Sequence, residues 1–201
     1  LTWVRLSKEG DSVLIGSRTG MAIHFRLDIN ELRPLGRTAR GVKSMNLREG
    51  DNLVSMDVLT SDLVDQLAKN DHLTKEIDEN FEVNSKEGPW VLIASAFGLG
   101  KRVPVTQFRL QKRAGMGLRA IKFRIKDDEL VCLKVLGEGE ELLFVTEKGV
   151  IVRTNADKIS QQSRAATGVK LQKLDEGDHL SEVVLVPHEQ TEDMNQLNSG
   201  K

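Results

Sequence analysis

The chain has 201 residues, of which 39% are hydrophobic and 4% aromatic, and its 29 basic and 30 acidic side chains give a net charge of −1. This composition supports a packed soluble core, and no apolar run reaches the eighteen or more residues that a membrane span requires. The single cysteine, Cys132, excludes an internal disulfide and favours a reducing compartment, and the first ten residues lack the apolar segment of a signal peptide, so secretion is not expected.

A hairpin pattern occurs three times along the chain. Each copy has an apolar strand, a short polar link containing a glycine, and a second strand, as in VLIGSRTGMAIHF (13–25), VLIASAFGLGKRV (91–103) and LLFVTEKGVIVRT (142–154). The corresponding glycines, which we expect to be structural, are Gly20, Gly98 and Gly149. A further strand is predicted at Trp3–Leu6, before the first hairpin.

Each hairpin is followed by a second shared pattern, R-x-x-x-G-[VL]-[KR]. Its first residues are Arg37, Arg113 and Arg164, and its glycines are Gly41, Gly117 and Gly168. A glycine at this point allows positive φ or the close approach of another backbone. An E-G-D turn then precedes the last strand of the first and third copies (LREGDNLVSMDV and LDEGDHLSEVVLV), and IKDDELVCLKV takes its place in the second. We therefore predict about four strands in two hairpins for each unit.

The spacing of the repeats indicates an insertion. The landmarks of the second and third copies lie 51 residues apart, whereas those of the first and second lie 76 or 78 residues apart. We place the excess at 60–88, where SDLVDQLAKN predicts one short amphipathic helix capped by Ser61. The units are then expected at 13–59, 90–136 and 141–186, and the polar segment 187–201 is expected to be disordered.

Four strands per repeat, at a period of about fifty residues, are typical of propeller blades. The predicted fold is therefore all-β, with a partial array of about three four-stranded blades and a leading strand. Because three blades do not close a ring, further blades are expected to precede this segment.

Positive charge is clustered even though the total is balanced. Residues 101–126 hold nine Lys or Arg, residues 33–48 hold five, and neither segment contains Asp or Glu. Cations that recur once per blade around a curved rim would contact the phosphates of duplex DNA and bend it without reading its sequence. The scarcity of aromatic residues argues against base stacking and thus against single-stranded DNA or RNA. Alternatively, the arginines bond carbonyls of neighbouring blades, which would suit a propeller that binds proteins.

No motif for catalysis or metal binding is present in the sequence. The four histidines lack metal-ligand spacing, the string GLGK at 98–101 lacks the upstream glycine of a phosphate-binding loop, and the chain has no tyrosine nucleophile. We therefore predict no catalytic residue, no metal site and no cofactor in this segment.

The segments VLIGSRTGMAIHFRLDINELRPLGRTARGVKSMNLREGDNLVSM (13–56) and LLFVTEKGVIVRTNADKISQQSRAATGVKLQKLDEGD (142–178) resemble the gyrase A C-terminal domain, a family within the type IIA DNA topoisomerases. The resemblance implies a β-pinwheel, a six-bladed propeller-like disc whose last three blades this chain resembles. It implies that the basic perimeter wraps double-stranded DNA. It also implies a location in the bacterial cytoplasm or an organelle.

The same resemblance sets expectations for the larger assembly. The remainder of gyrase A would join this domain, and gyrase B would complete an A2B2 heterotetramer that introduces negative supercoils. ATP and Mg²⁺ would bind on other domains or subunits, and the domain alone would not be an enzyme.

The box motif of the family, Q-R-R-G-G-x-G, has a partial counterpart in QKRAGMG at 111–117, with Lys for the first Arg and Ala for the first Gly. Because the family carries its box in the first blade and this motif lies in a later one, we interpret it as a version of the common repeat. The comparable C-terminal domain of the related topoisomerase IV is therefore kept as an alternative.

The predicted DNA contacts are the cations within and beside the repeated pattern, namely Arg33, Arg37, Arg40, Lys43, Lys101, Arg102, Arg109, Lys112, Arg113, Arg119, Arg153, Lys158, Arg164 and Lys170.

Overall fold

The computed structural model describes residues 2–30, 32–69 and 88–186, and antiparallel strands dominate this part of the chain. Its strands and its α-helix are, in chain order, β1 (Ser12–Ser17), β2 (Met21–Arg26), β3 (Leu53–Leu59), α1 (Ser61–Lys69), β4 (Trp90–Ser95), β5 (Leu99–Pro104), β6 (Leu118–Arg119), β7 (Leu130–Leu136), β8 (Glu141–Thr146), β9 (Ile151–Asn155), β10 (Val169–Lys170) and β11 (Leu180–Val186). Short 3₁₀ turns follow β5 and β9, at Val105–Gln107 and Ala156–Lys158. Within the described ranges, no helix has the length and apolar character needed to cross a membrane.

The strands form three sheets, which confirms the all-β prediction. Their orders are β3-β1-β2-β6, β10-β5-β4-β7 and β11-β8-β9. The three predicted hairpins are the antiparallel pairs β1–β2, β4–β5 and β8–β9. Their registers correspond, with Val13 opposite Phe25, Val91 opposite Val103 and Leu142 opposite Thr154.

The fourth strand of a sheet comes from the following unit rather than from its own. Strand β6, which lies in the second unit, pairs with β2 of the first sheet, and β10 of the third unit pairs with β5 of the second. The residues directly before the E-G-D turns, 44–48 and 171–175, belong to no strand. The prediction of two complete hairpins within each unit is therefore wrong, because the strand after the pattern glycine is only two residues long and extends the neighbouring sheet.

The predicted leading strand at Trp3–Leu6 is also wrong. Residues 2–8 belong to no strand or helix. Leu6 is 96% exposed and Val4 is 67% exposed. These side chains are not covered by any sheet in the described part of the chain, so burial does not favour an extended strand here.

Helix α1 confirms the helix predicted at the start of the insertion, but its cap is Thr60 rather than Ser61. The N–H of Val64 donates to the Thr60 carbonyl at 3.0 Å, so Thr60 accepts the first helical hydrogen bond. Ser61 is the first helical residue, and its N–H donates to Oδ1 of Asp11 at 2.7 Å. The buried Val64 fixes the helix on the core. The rest of the insertion (70–87) and the predicted tail (187–201) lie outside the described residues.

Apolar side chains fill both spaces between successive sheets. Leu14 of the first sheet packs in one cluster with Val91 and Ile93 of the second. Leu92 of the second sheet packs in another cluster with Phe144 of the third. Strands β1 and β4 are buried at every position, which explains their continuous apolar sequences.

The strands β3 and β7 lie side by side and define one side of the array. The Ser55 hydroxyl donates to the Leu133 carbonyl at 2.7 Å and accepts from its N–H at 3.1 Å. Oδ2 of Asp57 accepts from the N–H of Val135 at 2.8 Å. In the sheet orders, β6 and β10 lie at the edges opposite β3 and β7, so the short exchanged strands occupy the other side.

Candidate nucleic-acid interface

The exchanged edge strands each end in an exposed cation. Arg119 is the second residue of β6, and Lys170 is the second residue of β10. Both side chains are exposed, as is Lys43 at the corresponding position of the first unit. The last position of R-x-x-x-G-[VL]-[KR] therefore presents one cation per unit to solvent, and in β6 and β10 that cation lies at the sheet edge opposite β3 and β7.

The pattern glycine makes this strand exchange possible. Gly117 has φ of +76°, and a Cβ built on it would lie 2.6 Å from the Ala22 carbonyl oxygen. Gly168 has φ of +93°, and its Cβ would lie 2.7 Å from the carbonyl oxygen of Gly100, the residue that corresponds to Ala22. Any side chain would separate the short strand from the sheet that it extends. Positive φ is shared by all six glycines that the repeats align, which are Gly20, Gly41, Gly98, Gly117, Gly149 and Gly168.

The first arginine of the pattern joins neighbouring units. Nη1 of Arg113 donates to the carbonyl of Lys43 at 2.6 Å, and Nη1 of Arg164 donates to the carbonyl of Arg119 at 2.6 Å. The two bonds connect equivalent positions, because each runs from the first residue of one pattern to the last residue of the pattern before it. Arg113 and Arg164 are partly buried, so the structure gives them the inter-blade contact that the sequence left as the alternative.

Lys101 does not lie at the surface, and its prediction as a DNA contact is wrong. Its side chain is completely buried, and Nζ donates to the carbonyls of Ser163, Arg164 and Ala166 at 2.8, 2.6 and 2.6 Å. Burial lowers the pKa of Lys101 to about 7, with the Arg164 guanidinium as a second cause. The three carbonyls oppose this shift, because only the ammonium form can donate three hydrogen bonds.

Arg102 is also buried, and its prediction as a DNA contact is wrong for the same reason. Its guanidinium donates to Oδ1 of Asp157 at 2.9 Å, to the Asp157 carbonyl at 3.1 Å and to the Ile159 carbonyl at 3.0 Å. It also lies 4.6 Å from the centre of the Trp90 ring. These contacts bind the second sheet to the 3₁₀ turn of the third unit. The sequence did not predict the burial of Lys101 and Arg102, because their hydrogen-bond partners lie more than fifty residues further along the chain.

The other predicted contacts are exposed or partly exposed. Arg153 forms an ion pair with Glu141 on the adjacent strand, with Nε 2.6 Å from Oε2. Arg109 is partly buried. The exposed members of the predicted set are Arg33, Arg37, Arg40, Lys43, Lys112, Arg119, Arg153, Lys158 and Lys170.

Two further exposed cations lie close to the edge strands in sequence, and the sequence analysis did not predict them as DNA contacts. Lys122 follows Arg119 by three residues and Lys173 follows Lys170 by three, and both are exposed. An alignment of the three units that continues three residues past the pattern would have identified both lysines, although the first unit has Asn46 at that position. Lys43 Nζ lies 3.3 Å from Oδ1 of Asn46.

The described residues contain no group of three His, Cys, Asp or Glu side chains arranged to hold a metal ion. The buried thiol of Cys132 has its pKa raised to about 12 by burial, so it remains protonated at neutral pH. The chemical character of the edge is therefore given by exposed guanidinium and ammonium groups.

Comparison with known proteins identifies a matching family, similar sequences and similar solved structures. A family model described as "DNA gyrase C-terminal domain, beta-propeller" matches residues 11–60, 89–132 and 140–187. The gyrase A protein of Synechocystis sp. is 48% identical over 207 residues, which cover 100% of this chain and 24% of that protein. The gyrase A protein of Staphylococcus epidermidis is 37% identical over 186 residues, which cover 92% of this chain and 18% of that protein. The chain thus spans about a quarter or less of the length of these relatives.

Two solved structures have similar folds. The structure of a DNA gyrase A C-terminal domain matches with a TM-score of 0.68 and 27% identity, over 89% of this chain and 51% of that one. The C-terminal domain of a DNA topoisomerase IV matches with a TM-score of 0.70 and 24% identity, over 92% of this chain and 49% of that one.

Proposed function

Because the chain belongs to the family of DNA gyrase C-terminal β-propeller domains, we propose that its exchanged edge strands bind the phosphate backbone of duplex DNA without reading base sequence. The observation that carries the proposal is the repeated exposure of a cation at the last position of each pattern, in Lys43, Arg119 and Lys170. Equivalent positions in successive units make a series of similar contacts, which suits a polymer of phosphates.

The burial of Lys101 and Arg102 refines this proposal. These two side chains stabilise the array, and the exposed cations are left to contact DNA. Lys122 and Lys173 join the DNA-binding set because each lies three residues beyond an edge-strand cation. Binding along a curved array bends the duplex at a cost of roughly 1–6 kcal/mol for a short site, which several phosphate contacts together must offset.

The place of this domain in a larger enzyme follows from its relatives and is part of the same proposal. The relatives are gyrase A proteins, so we assign the domain to DNA wrapping in support of ATP-dependent negative supercoiling. It acts with the remainder of gyrase A and with gyrase B in an A2B2 assembly, in the bacterial cytoplasm or an organelle. ATP and Mg²⁺ are used on other domains or subunits, and the domain has no catalytic activity of its own.

A second candidate function is a protein-binding propeller with structural arginines. The contacts of Arg113 and Arg164 with carbonyls of the preceding unit favour it, since these arginines hold blades together. The exposed cations at the other end of the same pattern have no such structural task in these contacts. The topoisomerase IV domain is a third candidate, but its similarity, at 24% identity, concerns the fold alone.

The test replaces Lys43, Arg119 and Lys170 together by Ala and measures binding to a random-sequence duplex across a series of salt concentrations. We expect weaker binding and a plot of log affinity against log salt that is less steep by about 3, because each phosphate contact contributes about 0.9 to the slope. The melting temperature should hardly change, since the three side chains are exposed.

A control variant removes the same number of charges elsewhere, by replacing Arg5, Lys8 and Lys148 with Ala. These side chains are exposed and lie outside the repeated pattern. An equal loss of affinity in both variants would reject the edge-strand site. Unchanged binding in the first variant would favour the protein-binding propeller.

A further inference from the structure

We propose that bound duplex DNA crosses the exchanged edge strands at an inclination, lying over the turn end of the first sheet and off the turn end of the second. The turn end of a sheet is the end that carries its hairpin turn. This course rests on the proposed function and specifies where the duplex lies on the array. It is set by two crossing segments, residues 120–129 and 171–179, which present opposite charges at these two ends.

The first crossing segment covers the turn end of the first sheet. It leaves β6 at one edge of that sheet and leads to β7, which lies beside β3 at the opposite edge. The N–H of Ala120 donates to the Gly20 carbonyl at 2.8 Å. The N–H of Leu130, just after the segment, donates to the Arg18 carbonyl at 2.9 Å. Because both carbonyls belong to the β1–β2 turn, the segment is held on the turn end from start to finish.

The side chains of this segment alternate between the core and solvent. Ile121 and Phe123 pack in the apolar cluster between the first two sheets. Lys122, Arg124 and Lys126 are exposed. An extended chain advances about 3.3 Å per residue, so Lys122 and Arg124 lie about 7 Å apart along the segment. That interval is roughly two phosphate steps along the axis of one DNA strand, so the exposed cations suit a phosphate backbone.

The exposed cations of the first crossing segment are not used within the fold. Their side chains have no hydrogen-bond or ion-pair partner within residues 2–30, 32–69 and 88–186. The acidic residues of the segment, Asp127, Asp128 and Glu129, come after the cations and next to β7. Asp128 is buried, and Oε2 of Glu129 lies 3.7 Å from Nε of Arg18. The positive charge closer to the edge strand is therefore available to phosphates.

The second crossing segment covers the turn end of the second sheet in the same way. The N–H of Leu171 donates to the Gly98 carbonyl at 2.8 Å, and the N–H of Leu180 donates to the Ala96 carbonyl at 2.7 Å. These two bonds correspond to those that hold the first crossing segment. The two segments therefore occupy equivalent places on successive sheets.

Charge distinguishes the two crossing segments. Residues 120–126 hold three cations and no acid, whereas residues 171–176 hold one cation and two acids. Arg124 and Asp175 stand at corresponding positions, five residues after Arg119 and Lys170, and both are exposed. Because the fold accepts either sign at this position, it does not require the cation. Phosphates are thus attracted to one turn end and repelled from the next.

The edge-strand cations lie close enough to the turn ends for these charges to act on the same duplex. Arg119 is paired with Met21, the first residue of β2 after its hairpin turn. Lys170 is paired with Leu99, the first residue of β5. A duplex bound at these corners overhangs the turn ends, because its major groove alone is about 12 Å wide. Opposite charges on successive units therefore incline its course.

The first test attaches a short photoreactive crosslinker to an introduced cysteine and measures crosslinking to a random-sequence duplex. The variants are Ile125→Cys in the first crossing segment, Glu176→Cys in the second and Val169→Cys in edge strand β10, and all three positions are exposed. The natural Cys132 is buried and its pKa is raised to about 12, so it should not react. We expect crosslinks from positions 169 and 125 and several-fold fewer from 176, even though this variant removes one acid.

The outcomes separate the inclined course from the proposed function. Crosslinks from position 169 with none from 125 would reject the inclined course and leave the edge-strand site standing. Equal crosslinking from 125 and 176 would also reject the inclined course. No crosslinking from 169 would reject the edge-strand site and the inclined course with it.

The second test exchanges the two charges by combining Arg124→Asp with Asp175→Arg, which leaves the net charge unchanged. Each new residue is the one that the other unit carries, so the fold should be retained, as circular dichroism can verify. Crosslinking should fall several-fold at position 125 and rise at 176, with little change in overall affinity. An unchanged crosslinking pattern would overturn the proposal.

The matched control combines Arg5→Asp with Glu9→Arg, which exchanges two exposed charges outside the crossing segments. This variant should keep the crosslinking pattern of the unaltered charges. The same shift from position 125 to 176 in the control would show that the course of the duplex does not depend on the crossing segments, and the proposal would be wrong.

Discussion

Nδ1 of His24 donates a hydrogen bond to the carbonyl oxygen of Phe108 at 2.7 Å and ties the first sheet to the 3₁₀ turn of the second unit. Arg102, at the corresponding position of the second sheet, donates from Nε to the Ile159 carbonyl at 3.0 Å. Phe108 and Ile159 both end 3₁₀ turns, so the two contacts are equivalent. An imidazole and a guanidinium thus make the same inter-blade bond, but the guanidinium keeps its charge at any ordinary pH and the imidazole does not.

The His24 contact makes the junction of the first two sheets sensitive to acid. Because the Phe108 carbonyl can only accept, Nδ1 carries the proton, and Nε2 accepts from the Ser12 hydroxyl at 2.7 Å. Burial, opposed by the hydrogen bond to Phe108 and assisted by the nearby Arg26 charge, lowers the pKa of His24 from 6.5 to about 4. Between these pH values the unfolded chain binds a proton that the folded chain excludes.

The contribution of His24 to stability should therefore be constant above pH 6.5 and fall by about 3 kcal/mol as the pH drops from 6.5 to about 4. Urea unfolding at a series of pH values measures the effect. The variant His24→Gln keeps an amide donor for the carbonyl but does not titrate, so its loss of stability over this range should be smaller. Equal losses in the two proteins would contradict the assignment.

Lys101→Met should destabilise the fold without weakening DNA binding by the folded protein. Met keeps most of the apolar stem, but it removes the Nζ donor from the carbonyls of Ser163, Arg164 and Ala166. The Ser163 and Ala166 carbonyls keep a backbone N–H donor, so the cost comes from the lost bonds themselves. We expect the free energy of unfolding to fall by about 3 kcal/mol, because each of the three lost hydrogen bonds contributes about 1 kcal/mol. Denaturant unfolding and duplex binding at a temperature where the variant is folded measure the two effects, and weaker binding with unchanged stability would contradict this role.

Arg113→Ala and Arg164→Ala should each lower stability by about 1 kcal/mol, because each removes a hydrogen bond between units. The matched variants are Arg119→Ala and Lys170→Ala, which remove a charge from the other end of the same pattern. These should leave the melting temperature nearly unchanged while reducing DNA affinity. Thermal melts and salt-dependent binding of the four variants separate the two roles, and the same behaviour at both ends of the pattern would show that they are not distinct.

Gly117→Ala should cost more stability than Gly41→Ala, although both glycines have similar positive φ. A methyl group at Gly117 would lie 2.6 Å from the Ala22 carbonyl oxygen, whereas one at Gly41 would meet nothing within 4 Å. We expect about 1 kcal/mol for Gly41, from the left-handed backbone alone, and at least twice that for Gly117. Denaturant unfolding of the two variants measures the difference, and equal costs would mean that strand exchange does not require the close approach.

The strand hairpins, their glycines and the family resemblance could be read from the sequence because they depend on local patterns that recur three times. Apolar runs with a glycine between them identify β1–β2, β4–β5 and β8–β9, and the sheets and the comparisons confirm the fold and the family. Helix α1 was found for the same reason, since its apolar period and its polar start are local. The leading strand at Trp3–Leu6 was predicted wrongly because its apolar residues have no partner strand among the residues that the structure describes.

The order of residues is enough to establish that this chain folds into repeated β-units with cations at fixed places, because repetition and apolar patterning are properties of neighbouring residues. The task of each cation is assigned by the packing of one unit against the next. Arg113 and Arg164 bond the preceding unit, Lys101 and Arg102 are buried against the following one, and Arg119 and Lys170 are exposed on exchanged strands. The physical reason is that each charge is positioned by partners from another unit, often fifty or more residues away, and a local pattern carries no information about partners at that distance.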